Sequence, residues 1–359
     1  MTFPTTLPPP THAPLRGGPV LRWGIIGPGR IARDWARAVL AHTDQRIVAV
    51  GSNTPGRAEA FACGFGIERV HSSHRALLED PEVDAVYVAT VNSGHVADAL
   101  AAIEAGTPVL VEKPLATSAA EALRIVHAAR EAGVFVQEAM WTRFLPQTTV
   151  VDRLLADGAL GGVAGASADF GGVVPFDPAS RLFDPDAGGG VLLDIGVYCV
   201  WWDLFAVGGP ASPDLLPAIH AVGACAPSGV DDDAALTWTH RGARGPAGAV
   251  SRARATWRAP LEARAMVAGS EGRIDVAAPF CAPAGFTLTS TDERTRLSFE
   301  DPSGLRWREG LAYQVTAMAA DVAAGRTESS RHPWGMSLMT LDVLDRGRSA
   351  LATTMPERP

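Results

Sequence analysis

Several kinds of residue pattern are missing from this chain, and each absence narrows the reading. Cysteine is scarce. Cys63, Cys199, Cys225 and Cys281 are scattered, with no CxxC pair and no Cys/His spacing. That argues against a disulfide scaffold or a zinc module, so buried free thiols in a reducing cytoplasm and no bound metal are expected. Positive charge is also short: 31 Lys and Arg against 39 Asp and Glu leave a net charge of −8. A nucleic-acid partner needs a basic face, so none is expected. No apolar run is long enough to span a bilayer, so no membrane contact is expected. The first residues lack a charged stretch followed by an apolar one, so a secretory signal is not expected either. What remains is ordinary globular composition, 47% hydrophobic and 19% charged, with ample core for two domains in 359 residues.

The chain is organised around Leu21–Trp35, LRWGIIGPGRIARDW. A short apolar run, Val20–Ile26, meets Gly27-Pro28-Gly29-Arg30-Ile31-Ala32, a G-x-G-x-x-A pattern where a strand would turn into a helix. Gly27 permits the tight turn, Gly29 lets the backbone approach a pyrophosphate, and Ala32 lets the helix pack close. The free N–H groups of the helix start favour the phosphates. Before it, residues 1–19 are rich in Pro and Thr and cannot bury a face, so they read as a disordered or extended arm. After it, helix Arg30–Ala41, strand Arg46–Val50, helix Pro55–Gly64, strand Val83–Ala89, helix Val96–Ala105, strand Pro108–Val111 and strand Val134–Gln137 follow. Between the last two, Ser118 and Glu121 form a capping box for a helix ending near Gly133. Strand and helix alternate, which predicts a doubly wound parallel sheet over residues 20–145.

Beyond residue 145 the period changes. Helix Gln147–Asp157 and strand Val163–Phe170 lead through a Pro/Asp/Gly loop to helix Val191–Val207. Seven short strands with two-residue periodicity follow, and helices at Leu311–Ala324 and Gly335–Leu351 close the chain. The expectation is an α/β protein whose second domain, 146–359, is α+β with an open, mostly antiparallel sheet.

Five further stretches carry chemistry. No acid follows the second strand within Val50–Arg57, whereas Ser52, Asn53 and Arg57 can serve a 2′-phosphate, which favours NADP over NAD. Thr90, Asn92 and His95 lie just past a strand end, where open α/β sheets bind ligands. Glu112 and Lys113 follow the next strand, and Trp141 and Arg143 the one after, lining the same crevice. Finally, three glycines precede a helix bearing Asp194 and Tyr198, four apart and so on one face. With Lys113 they make a proton relay, because a nearby ammonium stabilises a phenolate.

These motifs together, GIIGPGRIA, ATVNSGH, AGTPVLVEKPLA, EAMWTRF and GGGVLLDIGVY in that order, with GSEGRIDV and GRTES later, resemble the Gfo/Idh/MocA oxidoreductase family over residues 20–352. EAMWTRF and DIGVY are most similar to the subgroup of dimeric dihydrodiol dehydrogenases, NADP-dependent D-xylose dehydrogenases and glucose–fructose oxidoreductase. The resemblance implies Lys113 and Tyr198 as the catalytic pair, supported by Asp194. It implies Gly27, Gly29, Arg30, Ile31 and Ala32 at the pyrophosphate, Ser52, Asn53 and Arg57 at the adenosine end, and Thr90, Asn92, His95, Glu112, Trp141 and Arg143 around the nicotinamide. Lys113, Trp141, Arg181, Asp194 and Tyr198 would meet the substrate, a sugar or cyclic diol. A homodimer or homotetramer through the second domain's sheet is implied as well. Two departures stand out: Val91 replaces the usual Pro, and Asn53 stands where many NADP-using relatives carry Arg. Two other readings stay open, a nucleotide-sugar ketoreductase and a non-catalytic NADP-binding regulator.

Overall fold

The computed structural model describes residues 3–208, 218–240, 244–245 and 248–354. One compact unit, the parallel-sheet unit, comprises His12–Phe144 and Arg306–Ser337. Its order is β1 (Arg22–Ile26), α1 (Arg30–His42), β2 (Arg46–Gly51), α2 (Arg57–Phe65), β3 (Arg69–His71), α3 (His74–Leu78), β4 (Ala85–Val88), α4 (His95–Glu104), β5 (Val109–Val111), α5 (Ala119–Ala132) and β6 (Val136–Glu138). All six strands are parallel, in the order β3-β2-β1-β4-β5-β6. The apolar runs of β1, β4 and β5 are buried on both faces, as parallel strands covered by crossover helices must be. Trp23, Trp35 and Tyr87 pack in series, with ring centroids 5.4 and 4.4 Å apart.

Local chemistry sets several helix ends. Ser118 Oγ accepts from Glu121 N, and Gly133 at φ 66° ends α5. Two expectations need correction. The second helix begins at Arg57 rather than Pro55, because Gly56 in the left-handed region stands immediately before it. β3 and α3 have no counterpart in the hydrophobic pattern, since Arg69-Val70-His71 offers a single apolar side chain and pairs through its backbone.

The other unit, the mixed-sheet unit, holds Met1–Thr11, Leu145–Leu305 and Leu338–Pro359. It contains α6 (Pro146–Ala156), β7 (Val163–Gly171), a π-helical turn Leu192–Gly196 and α7 (Val197–Val207). β8 (His220–Cys225), β9 (Asp231–His240), β10 (Ala249–Thr256), β11 (Arg264–Gly269), β12 (Gly272–Val276), β13 (Phe286–Ser290) and β14 (Arg296–Phe299) complete it. The sheet runs β14-β13-β12-β11-β7-β10-β9-β8, antiparallel except for the parallel pair β7–β10. Small residues on the inner sheet face, Ala166, Ala168, Ala253, Ala255 and Ala265, leave room for the bulky α7, which buries Trp201, Trp202, Leu204 and Phe205. Burying a side chain such as Leu204 stabilises the fold by roughly 1.5–3 kcal/mol.

The chain then returns to the parallel-sheet unit through α8 (Leu311–Ala323), and a last helix, α9 (Trp334–Thr354), starts there. The single boundary at 145/146 expected from periodicity is therefore one of several crossings. Val136 N donates to Thr327 O and Trp334 Nε1 donates to Val136 O, so this returning stretch covers the open edge of β6. The arm is also divided: Thr11 N donates to Thr149 Oγ1, whereas Arg16 and Gly17 hold Asp44. From residue 3 through Val20 it holds neither helix nor strand, and it bends at residues 15–18. No helix among the described residues is long and apolar enough to cross a membrane. The four cysteines are free, but only Cys199 and Cys281 are buried; Cys225 is half-buried, and Cys63 is exposed on the outer side of α2.

Candidate active site

The glycine turn fits a dinucleotide pyrophosphate. Gly27 has φ +82°, and a Cβ there would lie 2.7 Å from Thr90 N, so only glycine fits. A Cβ on Gly29 would meet nothing nearer than Gly27 O at 3.9 Å, which leaves that backbone open to a ligand's approach. α1 starts at Arg30 with Gly29 as its cap, no side chain capping it and no acid in its first turn. The N–H groups of Arg30, Ile31 and Ala32 could therefore hold an anion, with the positive end of the helix behind them. Ala32 is buried, where a larger side chain would push α1 off the sheet.

Past β2 the polar side chains form a network. Ser52 is buried and its Oγ accepts from Thr54 N at 3.1 Å. Asn53 Oδ1 accepts from His74 N at 3.0 Å. His74 Nδ1 pairs with Asp98 at 2.7 Å, and Thr90 Oγ1 donates to the other Asp98 oxygen at 2.9 Å. Asn53 and Thr90 thus brace the sheet edge, whereas Arg57 is exposed at the start of α2. No motif marks His74 or Asp98 in the sequence, since neither stands in the glycine turn.

Past β5 stands Lys113, the only lysine in the chain. Its loop is gripped by buried ionisable groups. Lys113 N donates to Glu112 Oε2 at 3.2 Å, and Tyr87 OH donates to Glu112 Oε1 at 2.5 Å. His95 Nδ1 lies 2.8 Å from Pro114 O, and its Nε2 is 3.3 Å from Thr90 O. Leu115 N donates to Glu138 Oε1 at 3.0 Å. Burial pushes the Glu112 carboxyl above its usual range and the His95 imidazole below its own, which leaves His95 neutral with its N–H on the shorter contact to Pro114. His95 and Glu112, expected around the nicotinamide, are 1% and 6% exposed, and both brace this loop. Asn92 is buried nearby in sequence, and Trp141 is buried in the 3-10 turn Trp141–Phe144. Arg143 Nε donates to Arg331 O and so holds the returning segment.

Asp194 and Tyr198 belong to the mixed-sheet unit. The single helix expected over Val191–Val207 is a π-helical turn followed by α7, and four residues is close to one turn of either form. Tyr198 is largely buried, its ring 6.3 Å from that of Phe170. Arg181 Nη2 lies 3.6 Å from Asp194 Oδ1. The three glycines serve the backbone. A Cβ on Gly190, at φ +122°, would press on Asp231 Oδ1 at 2.6 Å, and Asp231 Oδ2 accepts from Leu192 N to cap the turn. Among the described residues no group of three His, Cys, Asp or Glu is placed to hold a metal ion.

Comparison with known proteins agrees with this geometry. Residues 21–140 match the family described as an oxidoreductase family with an NAD-binding Rossmann fold, and residues 149–275 match the GFO/IDH/MocA C-terminal domain. A trans-1,2-dihydrobenzene-1,2-diol dehydrogenase of Danio rerio is 34% identical over 337 residues, covering 91% of this chain and 96% of that protein. A levoglucosan dehydrogenase solved with NADH and L-sorbose superposes with a TM-score of 0.82 at 21% identity, over 93% of this chain and 97% of the other. A 3-ketoreductase from Actinomadura kijaniata, solved with NADP and TDP-benzene, gives 0.74 at 27% identity, over 92% and 98%. A bare glycine turn opening α1, a six-stranded parallel sheet and a matching second unit leave one assignment: the chain belongs to the Gfo/Idh/MocA oxidoreductase family and is an NAD(P)-dependent dehydrogenase.

Proposed function

We propose that this protein is an NADP-dependent oxidoreductase acting on a sugar or a cyclic diol, with Tyr198 as general acid and base assisted by Lys113. One observation carries the reading: the only lysine of the chain stands at the carboxyl end of β5, in a loop whose backbone is fixed by buried side chains. The diol dehydrogenase named above, similar over nearly the whole chain, supports the substrate class. Bound NAD(P) supplies the two-electron acceptor or donor. Gly27, Gly29 and the first turn of α1 bind its pyrophosphate, Arg57 and Ser52 favour the 2′-phosphate form, and Trp141 lines the nicotinamide end. Tyr198 accepts the substrate hydroxyl proton in oxidation and returns it in reduction. Lys113 favours the phenolate through its positive charge and orients the substrate oxygen, while Asp194 and Arg181 position the rest of the substrate. The proposal also covers assembly and place: a cytoplasmic homodimer or homotetramer joined through the open sheet, whose outer face exposes Val222 and Val250, with free thiols throughout.

The test follows NADPH absorbance over a panel of aldoses, inositols, cyclic diols and nucleotide sugars, with NAD as control. Tyr198→Phe should bind NADPH as the parent does and lose about 10²–10⁴-fold in turnover. Unchanged turnover refutes the role of Tyr198. Activity confined to nucleotide sugars overturns the substrate class, and nucleotide binding without turnover on any of them overturns the enzyme reading.

A further inference from the structure

Three consecutive residues, Lys113, Pro114 and Leu115, each have a backbone group held by a different buried ionisable side chain: Glu112, His95 and Glu138. Of these, Glu138 is tied furthest. Its Oε1 accepts from Leu115 N, and its Oε2 takes His332 Nε2 at 2.9 Å and Ser337 Oγ at 2.5 Å. Ser337 Oγ also lies 3.1 Å from His332 Nε2, which closes a three-membered cluster. Both Glu138 and His332 are 1% exposed at the side chain. Burial alone would push the Glu138 carboxyl up, but His332, Ser337 and the Leu115 amide outweigh it and hold it below the usual carboxylate range. An ionised carboxylate, sealed from water and bonded on both oxygens, is a stiff anchor, because bonds to it are stronger than neutral ones and no water can replace them.

A clasp that served only to dock the returning segment would not need Glu138 Oε1. Val136 N to Thr327 O, Trp334 Nε1 to Val136 O and Arg143 Nε to Arg331 O already tie that segment down. Yet that oxygen reaches the amide two residues past the lysine. We propose that Glu138, set by His332 and Ser337, is a positioning residue for Lys113, acting through the Leu115 amide. The proposal rests on the role given to Lys113 above. It assigns a task in the same site to residues 332–337, which lie far from β5 in sequence. Removing the carboxylate frees the Lys113–Leu115 backbone to shift, and the ammonium shifts with it. Displacement of a catalytic group by about 1 Å can lower turnover on the order of 10²-fold.

The solitary lysine makes the test direct. Protein grown with [ε-13C]lysine gives one lysine signal, from Lys113. The parent, Ser337→Ala and Glu138→Gln are compared by this signal with and without NADPH, alongside NADPH binding by fluorescence and thermal melting. In both variants the Lys113 signal should move by more than its line width or broaden, while NADPH still binds. Variants that melt lower but leave the Lys113 signal superimposable on the parent's overturn the proposal, since a purely structural clasp predicts that outcome. If Glu138→Gln does not fold, the milder Ser337→Ala decides by the same signal. A different result, NADPH binding to the parent without moving the Lys113 signal, overturns the role of Lys113 in the reaction and leaves the positioning claim readable from the variants.

Discussion

Replacing Asp203 by Asn should make the protein more stable, and more so as pH rises. Asp203 lies on α7 with 0% exposure, and neither carboxyl oxygen has a partner at hydrogen-bonding geometry. Burial pushes its carboxyl well above the ordinary range; the charge of Arg252 offsets part of this and the charge of Asp169 adds to it. The folded chain therefore keeps the proton where the unfolded chain, with a carboxyl near 3.9, releases it. A group raised in this way contributes most stability below the unfolded value, and that stability is lost as pH climbs from there toward the folded value. The slope is about 1.4 kcal/mol per pH unit for one proton. Above the unfolded value, and for as long as pH stays below the folded one, the advantage of Asp203→Asn should thus grow toward that slope. Urea unfolding followed by tryptophan fluorescence reads it, since Trp201 and Trp202 sit on the same helix. At about pH 3 the two proteins should differ little, because Asp203 is then neutral in most molecules of both states. A stability difference that stays flat from pH 4 to pH 7 would refute the reasoning, because the buried carboxyl would then be ionising in place.

Two further outcomes follow from geometry already given. Gly27→Ala meets both a left-handed φ and the Thr90 backbone at 2.7 Å, so a loss of more than about 1 kcal/mol is expected, together with weaker NADPH binding; a melting temperature and an affinity equal to the parent's would contradict it. Asp80 is held well below the usual carboxylate range, chiefly by Arg69, with help from His71. Asp80→Asn should therefore destabilise at neutral pH, with a gap that narrows as pH falls below about 4, and acid titrations of the two proteins that run parallel would count against it.

The first half of the fold was visible in sequence because its signals are local. β1, β4 and β5 are short apolar runs with glycines or polar turns beside them, and Ser118 and Gly133 mark the ends of α5 by their own chemistry. β3 was invisible because one valine among arginine and histidine gives no pattern. The glycine turn and Lys113 were legible from motif and spacing. The fixation of Lys113 was not: Glu138 and His332 are 194 positions apart, and no short-range rule joins them. Asp203 could have been noticed as the lone acid in VYCVWWDLFAV, since a charge within such a run is buried or misplaced. The π-helical turn at Leu192–Gly196 is another matter, because its residues are equally at home in an α-helix.

The coverage of β6 by residues near the C-terminal end has a consequence for biosynthesis. As the chain leaves the ribosome, five of the six parallel strands can gain both neighbours or their natural edge early. β6 keeps one side of its backbone unpaired until Thr327 and Trp334 emerge, nearly two hundred residues later. Fragments that stop before the returning helix will therefore carry an open, sticky strand, and expression of residues 1–145 alone should yield aggregate where the entire polypeptide yields dispersed protein.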